Sequence, residues 1–162
     1  MIVVTDTSVV LNLCLLGEEA ILPALYRSIS APEIVANEFN RLVLSDPRFR
    51  GLVFPDCIEL ASPSLILPDL ISTRRLDAGE IAAISLAVER RAEAILIDEK
   101  AGRAAASALG LKPLGLLGVL LEAKRASLIA DLSPLLDRLE TEAKFRIGTD
   151  LRERVLRAAG ES

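Results

Sequence analysis

Two short strand-like segments, each followed directly by an aspartate, constrain the fold of this chain most strongly. Ile2–Thr5 is β-branched at every position, and residues 94–97 form a second apolar run. Runs of this kind, without alternating polar positions, are typical of strands buried on both faces of a parallel sheet. Asp6 and Asp98 follow these runs directly. Both aspartates are therefore expected at the same edge of one sheet.

Helical patterns alternate with further short strands along the rest of the chain. The predicted order is strand 2–5, helices ending at Gly17 and over 18–27, strand 28–31, helix 33–44, strand 58–61, helix 77–91, strand 94–97, helix 99–109, strand 111–114, and helices over 117–127, 134–144 and 150–159. This alternation predicts an α/β fold, with a parallel sheet, right-handed crossovers and helices on both faces. A chain of 162 residues fits one domain, and the helices from about residue 131 onward are expected to pack on it.

The chain contains no histidine, which excludes several kinds of active site. Ser-His-Asp and Cys-His catalysis and the two-histidine iron site all require that side chain. Cys14 and Cys57 are far apart in sequence, which argues against a cysteine-based zinc site. A hydrolase of this composition must use carboxylates, lysines or hydroxyl groups.

The two strand-end aspartates have both a functional and a purely structural interpretation. Ligand sites of parallel α/β sheets lie beyond the carboxyl ends of the strands, where Asp6 and Asp98 are expected. Each aspartate could instead be the N-cap of the helix that follows it, which is a common use of this residue.

Two glutamates occupy the apolar stripes of predicted helices. Glu38 lies four residues after Ile34 and four before Leu42, inside such a stripe. A carboxylate on a buried face needs a partner or a cation. The structural alternative is a glutamate at the edge of the stripe, paired with Arg41.

Glu80 shows the same conflict on the helix predicted over 77–91. It precedes Ala83 and Ile84 by three and four residues, which places it on the apolar stripe. Asp77 and Glu80 also have the spacing of a capping box, in which Asp77 is the N-cap. The two interpretations are compatible if Asp77 caps the helix while Glu80 points into a site.

A cluster of these four acids would suit a hard divalent cation. Mg²⁺ and Mn²⁺ prefer oxygen ligands, and Mg²⁺ often takes phosphate oxygens from a substrate. Such ions activate water for the hydrolysis of phosphodiesters. The net charge of −4 argues against a wide basic surface for nucleic acid, although a bound cation would neutralise the acids locally.

The sequence resembles a PIN domain. The resemblance rests on the acids and the residues around them, and covers nearly the whole chain: Asp6-Thr7-Ser8 after a strand, 32–38 ending in Glu38, and 95–98 ending in Asp98. The segments 76–80, 97–99 with Gly102-Arg103, and 117–121 are similar to a VapC-like branch of that family.

The resemblance implies a three-layer α/β/α sandwich around a central parallel sheet. It also implies a Mg²⁺- or Mn²⁺-dependent ribonuclease, commonly the toxin of a toxin–antitoxin pair. Asp6, Glu38, Glu80 and Asp98 match the acidic quartet of the family by position. Glu80 departs from the aspartate of most PIN domains, and Leu96 stands where many relatives have a hydroxyl residue.

Further site residues and partners are predicted on the same basis. Ser8 is expected to orient a water or phosphate, and Arg75, Lys100 and Arg103 to contact the RNA backbone, unless they are simply solvated. The expected partners are RNA, a cognate antitoxin and a second copy of the chain. Apolar contacts to the second copy are expected from Leu117, Leu120, Leu121, Leu128 and Ile129. With no signal peptide pattern and no membrane-length apolar run, the sequence predicts a cytoplasmic protein without membrane association.

Two other functions remain open at this stage. The departures at Glu80 and Leu96 allow a catalytically inactive PIN fold that binds RNA or protein as a regulatory module. Lys112-Pro113 after a strand suggests a phospho-acceptor signalling domain, but Thr7 stands after Asp6 where that class has a second acid.

Overall fold

A computed structural model describes residues 1–72 and 75–161 of the chain. This part contains a five-stranded sheet in which every neighbouring pair is parallel, in the order β3-β2-β1-β4-β5. The strands are β1 (Ile2–Thr5), β2 (Ser28–Ala31), β3 (Glu59–Leu60), β4 (Ala94–Leu96) and β5 (Lys112–Leu114). The central position of β1 explains the burial of Val3, Val4 and Thr5, whereas Ile2 at its start is exposed.

Helices connect these strands on both sides of the sheet. They are α1 (Thr7–Leu16), α2 (Ile21–Leu25), α3 (Glu33–Ser45), α4 (Pro68–Ile71), α5 (Ala78–Glu89), α6 (Lys100–Ala108), α7 (Leu116–Arg125), α8 (Ser133–Thr141) and α9 (Thr149–Ala158), with a short 3₁₀ helix at Pro47–Phe49. None of the helices in the described ranges has both the length and the hydropathy needed to cross a lipid bilayer.

The sheet separates two apolar clusters, because successive residues of a strand point to opposite faces. Val3 and Leu96 belong to the larger cluster, which includes residues of α1, α3 and α7. Val4 and Ile95 belong to the smaller one, which includes residues of α5 and α6. The molecule is thus a three-layer α/β/α sandwich, and the predicted fold class is confirmed.

The C-terminal helices extend the larger apolar cluster. Leu136 of α8 and Val155 of α9 are buried in it. Arg138 of α8 donates hydrogen bonds to the carbonyl oxygens of Leu15 and Leu16 at 3.3 and 3.1 Å, in the last turn of α1. These carbonyls have no partner within their own helix, so the arginine satisfies groups that the helix end leaves open.

The predicted helix over 18–27 is too long. In the structure α2 covers Ile21–Leu25 alone. Gly17 ends α1 in the left-handed region with φ of 71°, and Tyr26 is already extended with φ of −120°. The chain needs these residues to turn out of α1 and into β2, and helix propensity yields to that connection.

Candidate active site

The ends of β1 and β4 lie side by side and bring Asp6 and Asp98 to one edge of the sheet. Thr5 pairs with Leu96, and the backbone N–H of Asp6 donates to the carbonyl oxygen of Leu96 at 2.9 Å. Asp6 is 5% exposed and Asp98 is half-buried. This edge is the carboxyl end of the strands, where parallel α/β sheets bind their ligands.

Three carboxylates surround Gly79, near the start of α5. A Cβ at this glycine would lie 3.2 Å from Glu38 Oε2, 3.4 Å from Asp77 Oδ1 and 3.7 Å from Asp6 Oδ1. The end of β1, helix α3 and the first turn of α5 therefore converge on one small space. Gly79 leaves that space open, and any side chain there would enter it.

Glu80 joins this group through the capping box of α5. Its backbone N–H donates to Asp77 Oδ1 at 2.8 Å, and its Oε1 accepts from the backbone N–H of Asp77 at 3.0 Å. The residue is 2% exposed, and its other oxygen, Oε2, is buried without a hydrogen-bond partner within 1–72 and 75–161. A Cβ on Gly102 would lie 2.7 Å from this Oε2. One carboxylate oxygen thus caps the helix while the other lies buried and unsatisfied.

Asp98 has surroundings of a different kind. Its Oδ1 accepts from the backbone N–H of Leu116 at 2.8 Å, and its Oδ2 accepts from Ser8 Oγ at 3.1 Å. The alternative that Asp98 caps the helix directly after it is wrong, because Glu99 is the N-cap of α6. Asp98 instead holds the first residue of α7, a helix that begins beyond the neighbouring strand β5.

Asp6 occupies the N-cap position of α1 without capping it through its side chain. No side-chain hydrogen bond to the helix is formed at this cap in the described part of the chain. Burial raises the pKa of Asp6 to about 7, the Thr7 backbone amide lowers it in part, and the charges of Asp77, Glu80 and Glu38 raise it further. Asp6 is thus a buried carboxyl group surrounded by other acids.

The pKa values of the other three acids are also raised, chiefly by burial. For Glu38 the charge of Asp77 adds to this effect, and for Glu80 the capping hydrogen bond from the Asp77 backbone opposes it. For Asp98 the donors Leu116 N–H and Ser8 Oγ, together with the charge of nearby Arg103, oppose the effect of burial.

Glu38 lies at the edge of the buried stripe of α3 rather than inside it. The buried face of α3 is formed by Val35, Ala36 and Phe39, whereas Ile34 is 39% exposed. Glu38 itself is half-buried. Arg41 lowers its pKa through its charge, but the two form no ion pair within 4.0 Å in the described ranges.

The predicted RNA-contacting residues lie in different positions. Ser8 is bound to Asp98, and Arg103 approaches the same carboxylate: a Cβ on Gly115 would lie 2.7 Å from Arg103 Nη1 and 2.8 Å from Asp98 Oδ1. Lys100, the first residue of α6, and Arg75, shortly before α5, are both exposed. Arg103 is therefore the cation that the structure brings next to one of the acids.

The sequence model of a protein family described as a PIN domain matches residues 2–161. The chain belongs to the PIN domain family. No curated protein and no solved structure gives a match to it. PIN domains are commonly nucleases and generally use divalent metals. Membership of the family therefore suggests a nuclease fold.

The acids of this PIN domain fit a hard divalent cation by their chemistry. As they stand, no group of three or more Asp, Glu, His or Cys side chains in the described residues is arranged to hold a metal ion. The donor set nevertheless consists of carboxylate oxygens, which are the ligands Mg²⁺ and Mn²⁺ prefer. The open space at Gly79 and the unsatisfied Oε2 of Glu80 are the features that such an ion would use.

Sequence reasoning did not predict that Asp77 belongs to this group of acids. It was predicted as a cap alone, and it does cap α5, yet the same Oδ1 faces the space at Gly79 together with Asp6 and Glu38. The spacing of the capping box contained the signal, since a residue that bonds to Glu80 must lie within reach of whatever surrounds Glu80.

Proposed function

We propose that this PIN domain is a Mg²⁺- or Mn²⁺-dependent endoribonuclease whose cations are held by Asp6, Glu38, Glu80 and Asp98. The observation that carries the proposal is the Oε2 of Glu80, buried and without a hydrogen-bond partner in the described ranges, in a group of mutually repelling carboxylates. A buried, unsatisfied carboxylate oxygen is costly. A bound divalent cation would remove this cost. Its charge would also explain why Glu38, Asp77 and Glu80 are tolerated so close to Asp6.

The residues of the chain have distinct parts in this proposal. A divalent cation would supply a more acidic bound water and would stabilise the leaving oxygen of the phosphodiester. The capping hydrogen bond fixes Oε1 of Glu80, which leaves Oε2 as the oxygen that would coordinate the metal ion. Ser8 and the Leu116 amide fix the orientation of Asp98. Arg103, beside Asp98, is suited to a phosphate oxygen of the RNA.

Incubation of the purified protein with structured and single-stranded RNAs, in Mn²⁺, Mg²⁺ or EDTA, tests the activity. We expect cleavage with either cation and none in EDTA. Glu38→Gln should abolish cleavage, whereas Glu33→Gln, an exposed glutamate on the same helix, should leave it unchanged. Metal binding and RNA binding without any cleavage would identify an inactive binding module instead.

RNA binding by fluorescence anisotropy separates a metal-centred site from an electrostatic surface. The net charge of −4 repels RNA, so affinity should depend on the cation and on few arginine and lysine contacts. With Glu80→Gln to suppress cleavage, affinity should fall sharply in EDTA but only modestly between low and physiological salt. Tight binding in EDTA with a steep salt dependence would favour the binding module.

We also propose that the protein is a VapC-like toxin that pairs with an antitoxin and forms a homodimer. An open apolar cavity of about 440 Å³ between α3, α4 and α5, lined in part by the exposed side chains of Ile34 and Ile71, supports a protein partner. Of the apolar residues predicted at the dimer contact, Leu120 and Ile129 are buried in the core and Leu128 is exposed.

The partner proposals have their own tests. Light scattering at micromolar concentrations should show a dimer, and a monomer there would contradict it. The product of the neighbouring reading frame should co-purify with the protein and suppress its ribonuclease activity. A neighbouring product that does neither would contradict the toxin–antitoxin proposal and leave the nuclease proposal intact.

A further inference from the structure

A cavity of about 390 Å³ opens directly beside Asp98, between β5, α7 and the segment that joins α8 to α9. Asp98 and Arg103 line the end nearest the candidate active site, and Phe145 and Arg146 line it from the α8–α9 segment. Leu121 of α7 is among the residues of the apolar wall. The proposed cation site uses Asp98 and Arg103 among these lining residues, but not Phe145, Arg146 or Leu121.

We propose that this cavity is a nucleobase subsite, which binds a base of the RNA next to the phosphate at the acids. This inference rests on the proposed ribonuclease function, because it assigns the substrate contact of that same site. The base would stack on the ring of Phe145, and Arg103 and Arg146 would contact the adjoining phosphates.

The size and composition of the cavity suit a nucleobase. Its volume lies in the range of ligand pockets, which are about 300–1,000 Å³. Its walls are mainly apolar, and its charged lining residues are Asp98, Arg103 and Arg146. Single-stranded RNA is commonly bound by stacking of its bases on aromatic rings and by cationic side chains along its backbone.

Charge distinguishes this cavity from the apolar cavity between α3 and α5. The chain as a whole carries a net charge of −4, yet two arginines, Arg103 and Arg146, line this space. The cavity between α3, α4 and α5 has no lysine or arginine lining it within the described ranges. Arginine side chains beside an apolar wall complement a base that carries a phosphate better than they complement an apolar protein segment.

The segment that carries Phe145 is held in place rather than loosely exposed. The Phe145 backbone N–H donates to the Leu139 carbonyl oxygen at 2.9 Å, and Arg48 Nη1 donates to the Ala143 carbonyl oxygen at 2.6 Å. Ile147 is 9% exposed and anchors the segment in the core. The segment is therefore positioned before a ligand arrives, and Phe145 packs against the larger apolar cluster, which reduces the entropy cost of binding.

Gly118 offers a way to fill the cavity without disturbing the acids. It lines the cavity from α7, and a Cβ there would meet only Leu114 Cδ2, at an ordinary contact distance of 3.6 Å, within the described part of the chain. Gly115 differs, because a Cβ there would collide with Arg103 and Asp98. Gly118→Leu therefore occludes the subsite while leaving Asp98 in place.

Saturation-transfer NMR with ribonucleoside 5′-monophosphates in EDTA tests the subsite without metal or cleavage. The base protons should receive saturation from the wild-type protein, and ribose 5-phosphate should compete poorly. Phe145→Leu should weaken nucleotide binding by about fivefold or more, as expected for loss of a base–aromatic stack. Gly118→Leu should weaken it at least as much, and Phe145→Tyr should retain it.

Cleavage kinetics give a second, separate readout. With Mn²⁺, Phe145→Leu and Gly118→Leu should raise KM for single-stranded RNA and change kcat little. If the protein cleaves RNA but neither variant alters nucleotide binding or KM, the subsite is wrong and the ribonuclease proposal stands. Nucleotide binding that requires Phe145, in a protein that never cleaves RNA, would support the subsite and overturn the nuclease. Equal binding of ribose 5-phosphate, or no nucleotide binding, would overturn base recognition in this cavity.

Discussion

The two strand-end aspartates stand on neighbouring strands, yet their surroundings are opposite in kind. Asp98 accepts hydrogen bonds from Ser8 and from the Leu116 amide, and the charge of Arg103 lies nearby. Asp6 is surrounded by the carboxylates of Glu38, Asp77 and Glu80, all of which raise its pKa. The hydrogen-bond donors and Arg103 are thus on the Asp98 side of the sheet edge. The clustered negative charge of the other acids is on the Asp6 side.

This difference indicates which side of the edge would gain more from a divalent metal ion. Donors such as those of Asp98 favour the anionic form of a carboxylate even without a metal, although burial opposes them. For Asp6 and Glu80 the Thr7 and Asp77 amides compensate only in part, and the charges of other acids oppose them, so their side of the edge gains most from a divalent ion. The comparison predicts that changes at Asp6 and at Asp98 will have unequal effects on the metal-free protein.

The largest expected effect is a loss of metal-free stability as the pH rises. The folded-state pKa of Asp6 is about 7, against 3.8 for the ordinary side chain, so the folded state retains a proton that the unfolded state releases. Stability from this group is complete below pH 3.8 and is lost as the pH rises through 7, by about 4 kcal/mol in total. Chemical denaturation in EDTA between pH 4 and pH 8 measures this loss.

Variants at the two aspartates sharpen the comparison. Asp6→Asn should flatten the pH dependence and make the metal-free protein more stable at pH 8. Asp98→Asn should change the pH dependence less, because donors and Arg103 offset the effect of burial there. An equal response of both variants would contradict the distinction between the two surroundings.

The second effect is stabilisation by Mn²⁺, which binds the folded site alone. At a concentration of a hundred times its Kd, such a ligand adds about 2.7 kcal/mol. The rise in melting temperature should be larger at pH 8 than at pH 5, because protonated Asp6 competes with the ion. Asp6→Asn should weaken the rise more than Ser8→Ala does. Stabilisation that is independent of pH would place the ion away from Asp6.

Sequence patterns predicted the positions of the backbone elements better than the bonds of the site. The β-branched run Ile2–Thr5 was predicted with its observed limits, because buried parallel strands leave a continuous apolar signal. The strand 28–31, in which serines alternate with Ile29 and Ala31, was also predicted with its observed limits. The capping box of Asp77 and Glu80 was predicted because its spacing is local in sequence.

Long-range contacts explain what sequence patterns did not predict. Asp98 holds Leu116, the first residue of a helix eighteen positions away, and no local signal distinguishes this from a cap of the next helix. The apolar stripe of α3 was assigned with Ile34 inside it, but that side chain is exposed. Which face of an amphipathic helix is buried depends on the neighbouring layers, and these are set by the whole fold.

The third effect concerns the space around Glu80. A Cβ in Gly102→Ala would lie 2.5 Å from Ile97 Cδ1 and 2.7 Å from Glu80 Oε2. Ile97 is fully buried and Glu80 is held by its capping bond, so neither moves freely. We expect a loss of about 1–3 kcal/mol in unfolding free energy, typical of overpacking. Gly118→Ala is the matched control on another helix and should be neutral or slightly stabilising.

The smallest effect tests the bond that separates the two aspartates. Ser8→Ala removes the donor to Asp98 Oδ2 and should destabilise the protein by about 1 kcal/mol, since the Leu116 amide still holds Oδ1. It should also raise the pKa of Asp98, because the serine hydrogen bond lowers it. NMR titration of the Asp98 carboxyl carbon measures this shift, with Asp6 in the same spectrum as the internal control. An upward shift confined to Asp98 would show that the two carboxylates titrate separately. A matching shift of Asp6 would show that they form one coupled site, and the distinction between their surroundings would then be wrong.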